Sequence, residues 1–167
     1  MAHTGKALDF DFIISGINRG LNLGIDMLYS GTVGAVFEAA CFGLPAVALS
    51  TEPGCFEEAM AALEQVKEFF IKHDLMKKNS LYNVNIPKNP KGIRITRMGG
   101  RYFADDFLPQ GNDMFMTTGK SVWKDSGDYS IDTDAALSGY ISVLPLTLNR
   151  TNTDVFNELK SLNSDPQ

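Results

Sequence analysis

The apolar residues do not follow one period along the chain. Short continuous runs alternate with longer stretches that step by three or four. Residues 10–15, FDFIIS, form the first run, and it ends on Gly16. A short, nearly continuous apolar run of this kind predicts a buried strand of an α/β sheet. The next fourteen residues, GINRGLNLGIDMLY, hold three glycines and two asparagines, and predict a loop at the carboxyl end of that strand. Ser30 can cap a helix that runs to about residue 42, with Val33, Val36, Phe37, Ala40 and Cys41 as its apolar stripe. Gly43 closes this helix and Pro45 prevents its continuation. Residues 46–50, AVALS, predict a second buried strand. Strand, loop, helix, turn and strand make a βαβ unit, so the two strands should be parallel.

Phe56, Met60, Leu63, Val66 and Phe70 recur at helical steps and predict a second helix over residues 56–73. Residues 81–86 (LYNVNI) and 93–98 (IRITRM) read as strands, separated by the turn-rich PKNPKG. From residue 99 to about 128 the periodicity weakens, and Gly, Asp, Pro and aromatics fit short β segments or a projecting arm. Residues 140–145 predict a returning strand. Residues 152–162 predict a terminal helix capped by Thr151 or Thr153. A soft boundary near Gly99 divides the chain into 1–98, an α/β core, and 99–167, a smaller region of arm, returning strand and helix.

Composition narrows the function classes. The 167 residues are 44% hydrophobic and 21% charged, as expected of a globular chain. Area scaling predicts an exposed surface of about 8,000 Å² for this mass. The net charge of −5 argues against nonspecific nucleic-acid binding, which needs a basic surface. A small anion remains compatible, because it needs only a local nest of backbone N–H groups. No apolar run approaches the ~20 residues of a membrane span. The opening MAHTGKALDF lacks the apolar stretch of a secretory signal. Cys41 and Cys55 read as buried or half-buried free thiols in a reducing cytoplasm, where the sequon at Asn149 would carry nothing.

Ligands of open α/β sheets bind beyond the carboxyl ends of the strands, so the loop after the first strand is the place to look for chemistry. It offers the carboxamides of Asn18 and Asn22, then Ser30, Gly31 and Thr32 at a helix start. A helix N-terminus attracts phosphate through unpaired N–H groups and partial positive charge, and asparagine oxygens suit hard divalent cations. A plain cap and a plain Gly-rich turn would read the same way. Other candidates are weaker. Gly119-Lys120-Ser121 lacks the earlier glycine of a phosphate-binding loop, since Met114 stands there. His3 and His73 have no evident acidic partner. Glu57, Glu58, Glu64 and Glu68 suit a solvated helix face, and Asp105-Asp106 suits a turn or a helix cap.

The ordered motifs carry a further signal. SGINRGLNLG at residues 15–24 is followed by SGTVGAVFEAACFGLPAVALS at residues 30–50. Later come NVNIP at 83–87, GIRITR at 92–97, and Asp132-Thr133-Asp134 leading into GYISV at 139–143. This order resembles the SurE family (survival protein E), metal-dependent nucleotidases, over residues 11–162, with Leu144 where threonine is usual. The resemblance implies a Rossmann-like three-layer α/β/α core with a smaller C-terminal β-rich arm and terminal helix. It implies removal of phosphate from nucleoside 5′- and 3′-monophosphates with Mn²⁺ or Mg²⁺, and subunits paired as a homodimer or tetramer through the arm. By position, Asn18 matches the metal-ligand asparagine, and Asn22 with Ser30, Gly31 and Thr32 matches the segment lining the phosphate pocket.

The sequence departs from the family pattern at its start. The family opens with a strand and a TNDDG motif whose Asp-Asp pair helps hold the metal, and no such motif occurs here. The expectation is therefore a core short of its first βα units, with residues 1–9 ending a helix, and an unpaired sheet edge beside an apolar face. Asp26 alone does not replace the missing pair, and the catalytic residues stay unknown. The expected activity is a 5′-nucleotidase; the alternative is a catalytically impaired remnant that binds phosphate or pairs with other subunits.

Overall fold

The computed structural model describes residues 10–163. Its first strand, β1 (Ile13–Arg19), begins three residues later than expected and runs through the SGIN segment. Phe10, Asp11 and Phe12 are exposed rather than part of the strand. Pairing explains the shift. Ile13, Ile14 and Ser15 face Ala46, Val47 and Ala48, then the register slips, and Asn18 and Arg19 resume opposite Ser50 and Thr51. The slip at Gly16–Ile17, whose peptide is cis, is a bulge that turns Asn18 back onto the ladder.

A 3₁₀ turn (Gly24–Tyr29) leads into helix α1 (Gly31–Cys41), and strand β2 (Ala46–Thr51) follows. Helices α2 (Phe56–Lys72) and α3 (Leu75–Lys78) precede strands β3 (Leu81–Ile86) and β4 (Ile93–Ile95). The chain then leaves the core as a hairpin, β5 (Phe103–Gly111) and β6 (Met114–Ser121). It returns through helix α4 (Asp132–Leu137) and strand β7 (Ile141–Pro145), and closes with α5 (Thr153–Leu159) and a 3₁₀ turn (Lys160–Leu162). The main sheet has the order β1-β2-β3-β7-β4; β1, β2 and β3 are parallel, β7 is antiparallel to β3, and β4 is parallel to β7.

Alternating side chains give the sheet two faces with separate cores. Val47, Leu49, Tyr82, Val84, Ile86, Ile141 and Val143 pack with Ala59, Ala62 and Val66 of α2. Ala46, Ala48, Leu81, Leu144 and Leu146 pack with Val33, Val36 and Ala39 of α1. The result is the expected α/β/α layering. The βαβ unit, strand β3 and the returning strand lie where expected. Strand β4 is shorter than expected, with Arg97 making only an isolated bridge to Ile131. The 3₁₀ turn, α3 and α4 carry too few apolar repeats to be foreseen.

Burial corrects several expectations. The accessible surface is 11041 Å², well above the compact value of about 8,000 Å². The excess has identifiable sources. β1 is an edge strand with Ile14 60% exposed, beside an open apolar groove lined by Phe12, Val47, Leu49, Phe70 and Met76. The hairpin stands apart as its own two-stranded sheet, and α5 buries no residue. Cys41 is exposed, contrary to expectation, because it sits at the solvent end of α1; Cys55 is buried. Asp105 and Asp106 lie on β5, exposed, rather than in a turn or cap. The cap of α5 is Asn152, whose side-chain oxygen accepts from Val155 N, and not a threonine. His73 ends α2, exposed, as anticipated, while His3 and the helix expected over residues 1–9 lie outside the described residues.

Candidate functional site

Towards the carboxyl ends of β1, β2 and β3, the α1 face of the sheet changes from apolar to polar. One lateral row crosses all five strands as Asn18, Ser50, Asn85, Ser142 and Arg94, each opposite the next. Ser50, Asn85 and Ser142 are fully buried, as is Asn83 two residues before Asn85. Such groups are tolerated only with partners, and the loop after β1 supplies most of them. Asn22 N donates to Asn85 Oδ1 at 2.7 Å, and the Asn22 carbonyl accepts from Asn83 Nδ2 at 2.7 Å and Asn85 Nδ2 at 3.0 Å. The Asn22 carboxamide donates to Ser50 Oγ at 2.6 Å. Among the described residues nothing else bonds its second amide hydrogen or its oxygen. Thr96 and Ser142 satisfy each other at 2.8 Å. Asn83 Oδ1 has no partner among the described residues.

Asn18 and Asn22 both adjoin Ser50, one across the ladder and one by hydrogen bond. Asn18 gives its amide to Gly20 O at 2.8 Å, and among the described residues nothing donates to its carboxamide oxygen. Ser30 is the N-cap of α1: its Oγ accepts from Val33 N at 3.2 Å, and Gly34 N bonds its carbonyl. Among the described residues nothing accepts from the N–H groups of Gly31 and Thr32, as is usual for the first groups of a helix. Gly31 is exposed, and a Cβ built there would meet nothing within 4 Å, so its backbone is open to approach. Among the described residues no hydrogen bond joins Ser30, Gly31 or Thr32 to Asn18 or Asn22.

Carboxylates hold the loop from the side. Asp132 is fully buried and accepts from Gly24 N, Gly99 N and Thr133 N. Burial pushes its carboxyl above the ordinary range, against the pull of those N–H donors. Gly24 has φ +53°, and any Cβ there would overlap the Gly100 carbonyl oxygen. Burial also raises the Tyr102 phenol, helped by the nearby charges of Asp26 and Asp132. At Asp134 burial pushes up, but hydrogen bonds from Ser126 and from Trp123 Nε1 at 2.7 Å prevail and hold the carboxyl below its usual 3.8.

A divalent cation would find only neutral carboxamide oxygens here, those of Asn18 and Asn22. Among the described residues no three His, Cys, Asp or Glu side chains are grouped to hold a metal. Asp26 directs a carboxylate oxygen at Tyr102 N and Phe103 N instead. These residues alone therefore do not fit a hard ion, which takes several oxygens including carboxylates.

Ser50, Asn83, Asn85 and Asp132, which support the site, do not stand out in the sequence alone. The signal was present: asparagines at alternate positions of a strand otherwise made of Leu, Tyr, Val and Ile put amides on one buried face. No helix of the described residues is long and apolar enough to cross a membrane.

The sequence profile of a family described as Survival protein SurE matches residues 1–105. A 5′-nucleotidase SurE of Caldanaerobacter subterraneus subsp. tengcongensis is 40% identical over 165 residues, covering 93% of this chain and 64% of the relative. A 5′-nucleotidase SurE of Petrotoga mobilis is 39% identical over 168 residues, covering 93% of this chain and 66% of the relative. The crystal structure of the SurE protein from Aquifex aeolicus superimposes with a TM-score of 0.69 at 31% identity, covering 91% of this chain and 65% of that one. The chain thus spans about two thirds of the length of the proteins it matches.

Proposed function

The chain belongs to the SurE family, and on that premise we propose that it serves the hydrolysis of nucleoside 5′- and 3′-monophosphates to nucleoside and phosphate. The observation that carries this reading is the carboxyl end of the sheet. A fully polar lateral row lies there, with a loop pinned over it and a helix start whose first N–H groups are free. Gly31 and Thr32 would donate those N–H groups to phosphoryl oxygens, where the partial positive charge of the helix start favours an anion. The Ser30 hydroxyl accepts from Val33, so its own hydrogen is free to donate. Asn22 would give its second amide hydrogen to the same group.

In this reading the activity requires Mn²⁺ or Mg²⁺, to which Asn18 contributes one neutral oxygen; among the described residues no three acidic, His or Cys side chains are grouped to complete such a site. The reaction belongs in a reducing cytoplasm, consistent with two unpaired cysteines. The partner is a second copy of the chain, paired as a dimer or tetramer through the hairpin and α5. Phe107, Phe115 and Phe156 are exposed there, an apolar surface that supports such pairing.

The test is release of phosphate from AMP. The expected result is little turnover by the chain alone. Joined to the rest of the Caldanaerobacter relative, it should show Mn²⁺-dependent turnover that Asn18→Ala lowers. Turnover indifferent to both Mn²⁺ and Asn18→Ala would overturn the reading.

A further inference from the structure

Asn22 lies in a segment whose later apolar residues face outward. Ile25, Leu28 and Tyr29 are exposed, and only Leu23 and Met27 are buried. Packing alone gives such a segment little reason to hold one shape. Beyond the bonds of Asn22 to Ser50, Asn83 and Asn85, its hydrogen bonds to other elements run to Asp132 and the root of the hairpin arm. Asp26 Oδ2 accepts from Phe103 N at 3.2 Å and from Tyr102 N at 3.4 Å. The Tyr102 hydroxyl donates to Leu21 O at 2.9 Å, and Ile25 N donates to Gly100 O at 3.4 Å. Asp132 Oδ2 takes Gly24 N at 2.8 Å while its Oδ1 takes Gly99 N at 2.7 Å. Residues 21–26 and 99–103 are thereby stitched into one unit, and Asn22 sits inside it.

We propose that Asp26, Asp132 and Tyr102 are positioning residues for Asn22: they fix the loop that presents its carboxamide by tying that loop to the root of the arm. This rests on the reading above, in which Asn22 meets phosphate.

The two carboxylates act by different chemistry, and this makes the inference testable. Asp26 uses a single oxygen for both of its N–H partners, so asparagine can place its carbonyl oxygen in the same position. Asp132 uses both oxygens, so an asparagine there must set an N–H group against an N–H group. If Asp26 served by its charge, asparagine would fail at that position.

The experiment follows amide hydrogen exchange over residues 21–26 in the chain and in Asp26→Ala, Asp26→Asn and Tyr102→Phe. In the same samples the Asn22 side-chain amide is titrated with inorganic phosphate and Mg²⁺. Tyr102→Phe should speed exchange about fivefold, the scale of one lost hydrogen bond, and Asp26→Ala, which removes the acceptor of two, should speed it more. Exchange in β2 and β3 should not change, which separates a displaced loop from an unfolded chain. Asp26→Asn should restore both slow exchange and the phosphate response that Asp26→Ala weakens. Unchanged exchange in Asp26→Ala, or a loss that Asp26→Asn does not restore, would overturn the proposal. A parent chain that does not respond to phosphate would overturn the functional reading instead, and exchange would still decide the positioning.

Discussion

The loop of residues 20–30 and the segment of residues 99–121 are both rich in glycine, in polar groups and in exposed apolar side chains, yet they end in opposite states. The loop is pinned over the sheet by acceptors and donors from distant strands: Asn83 and Asn85 from β3, Ser50 from β2, and Asp132 from the start of α4. The hairpin has only its own ladder beyond its root, and Phe107, Met114 and Phe115 stand about 60% exposed. Glycine content therefore does not set rigidity here. The difference lies in whether buried polar groups elsewhere need the segment as their partner. A loop that satisfies buried amides is held in one place. A ribbon that satisfies only itself is free to project and to meet another surface.

The comparison is broken most severely at Asp132. Asp132→Asn should cost about 3 kcal/mol of stability, since it turns one buried N–H–carboxylate bond into an N–H facing an N–H. Urea denaturation checks this, and a loss below about 1 kcal/mol would mean the carboxylate is not what holds the loop. Ser30→Ala removes the side-chain cap of α1 and should cost about 1 kcal/mol, read in the same way, while Thr151→Ala should cost nothing because Asn152 caps α5. On the arm, Phe115→Ser should change stability by less than about 0.5 kcal/mol, because the ring is not packed in the core. It should nonetheless lower the mass observed by light scattering if the arm pairs two copies. An arm that matters to the fold instead would show the reverse.

The mildest effect is a response to acid. Asp134 is held below its usual 3.8, so its ionised form stabilises the fold above that value, and this contribution is lost as pH falls through the lower folded value. Trp123 donates to this carboxylate and is the chain's one tryptophan. Its fluorescence should stay constant from pH 7 down to the ordinary aspartate range and change only below it. A change centred above 3.8 would show that the carboxyl is not held low.

What was legible in the sequence follows the same division. The βαβ unit, β3 and α2 were readable because each carries its own apolar period and its own stop signals. The start of β1 was misplaced because apolar Phe10 and Phe12 look like strand, whereas pairing with β2 begins only at Ile13. The candidate residues of the loop were readable as a local cluster. Their supports were not, since Asn85 and Asp132 lie 63 and 108 residues from the atoms they bind, and no local pattern encodes that contact. The exposure of Cys41, at the solvent end of α1, is not readable from the apolar stripe alone.

The most direct test of the account is whether phosphate binds at the start of α1. In a ¹⁵N-labelled sample titrated with inorganic phosphate and Mg²⁺, the amides of Gly31 and Thr32 should shift together and saturate, with Thr117 on the arm unmoved. Shifts spread evenly over the surface, or a silent Gly31 and Thr32, would contradict it.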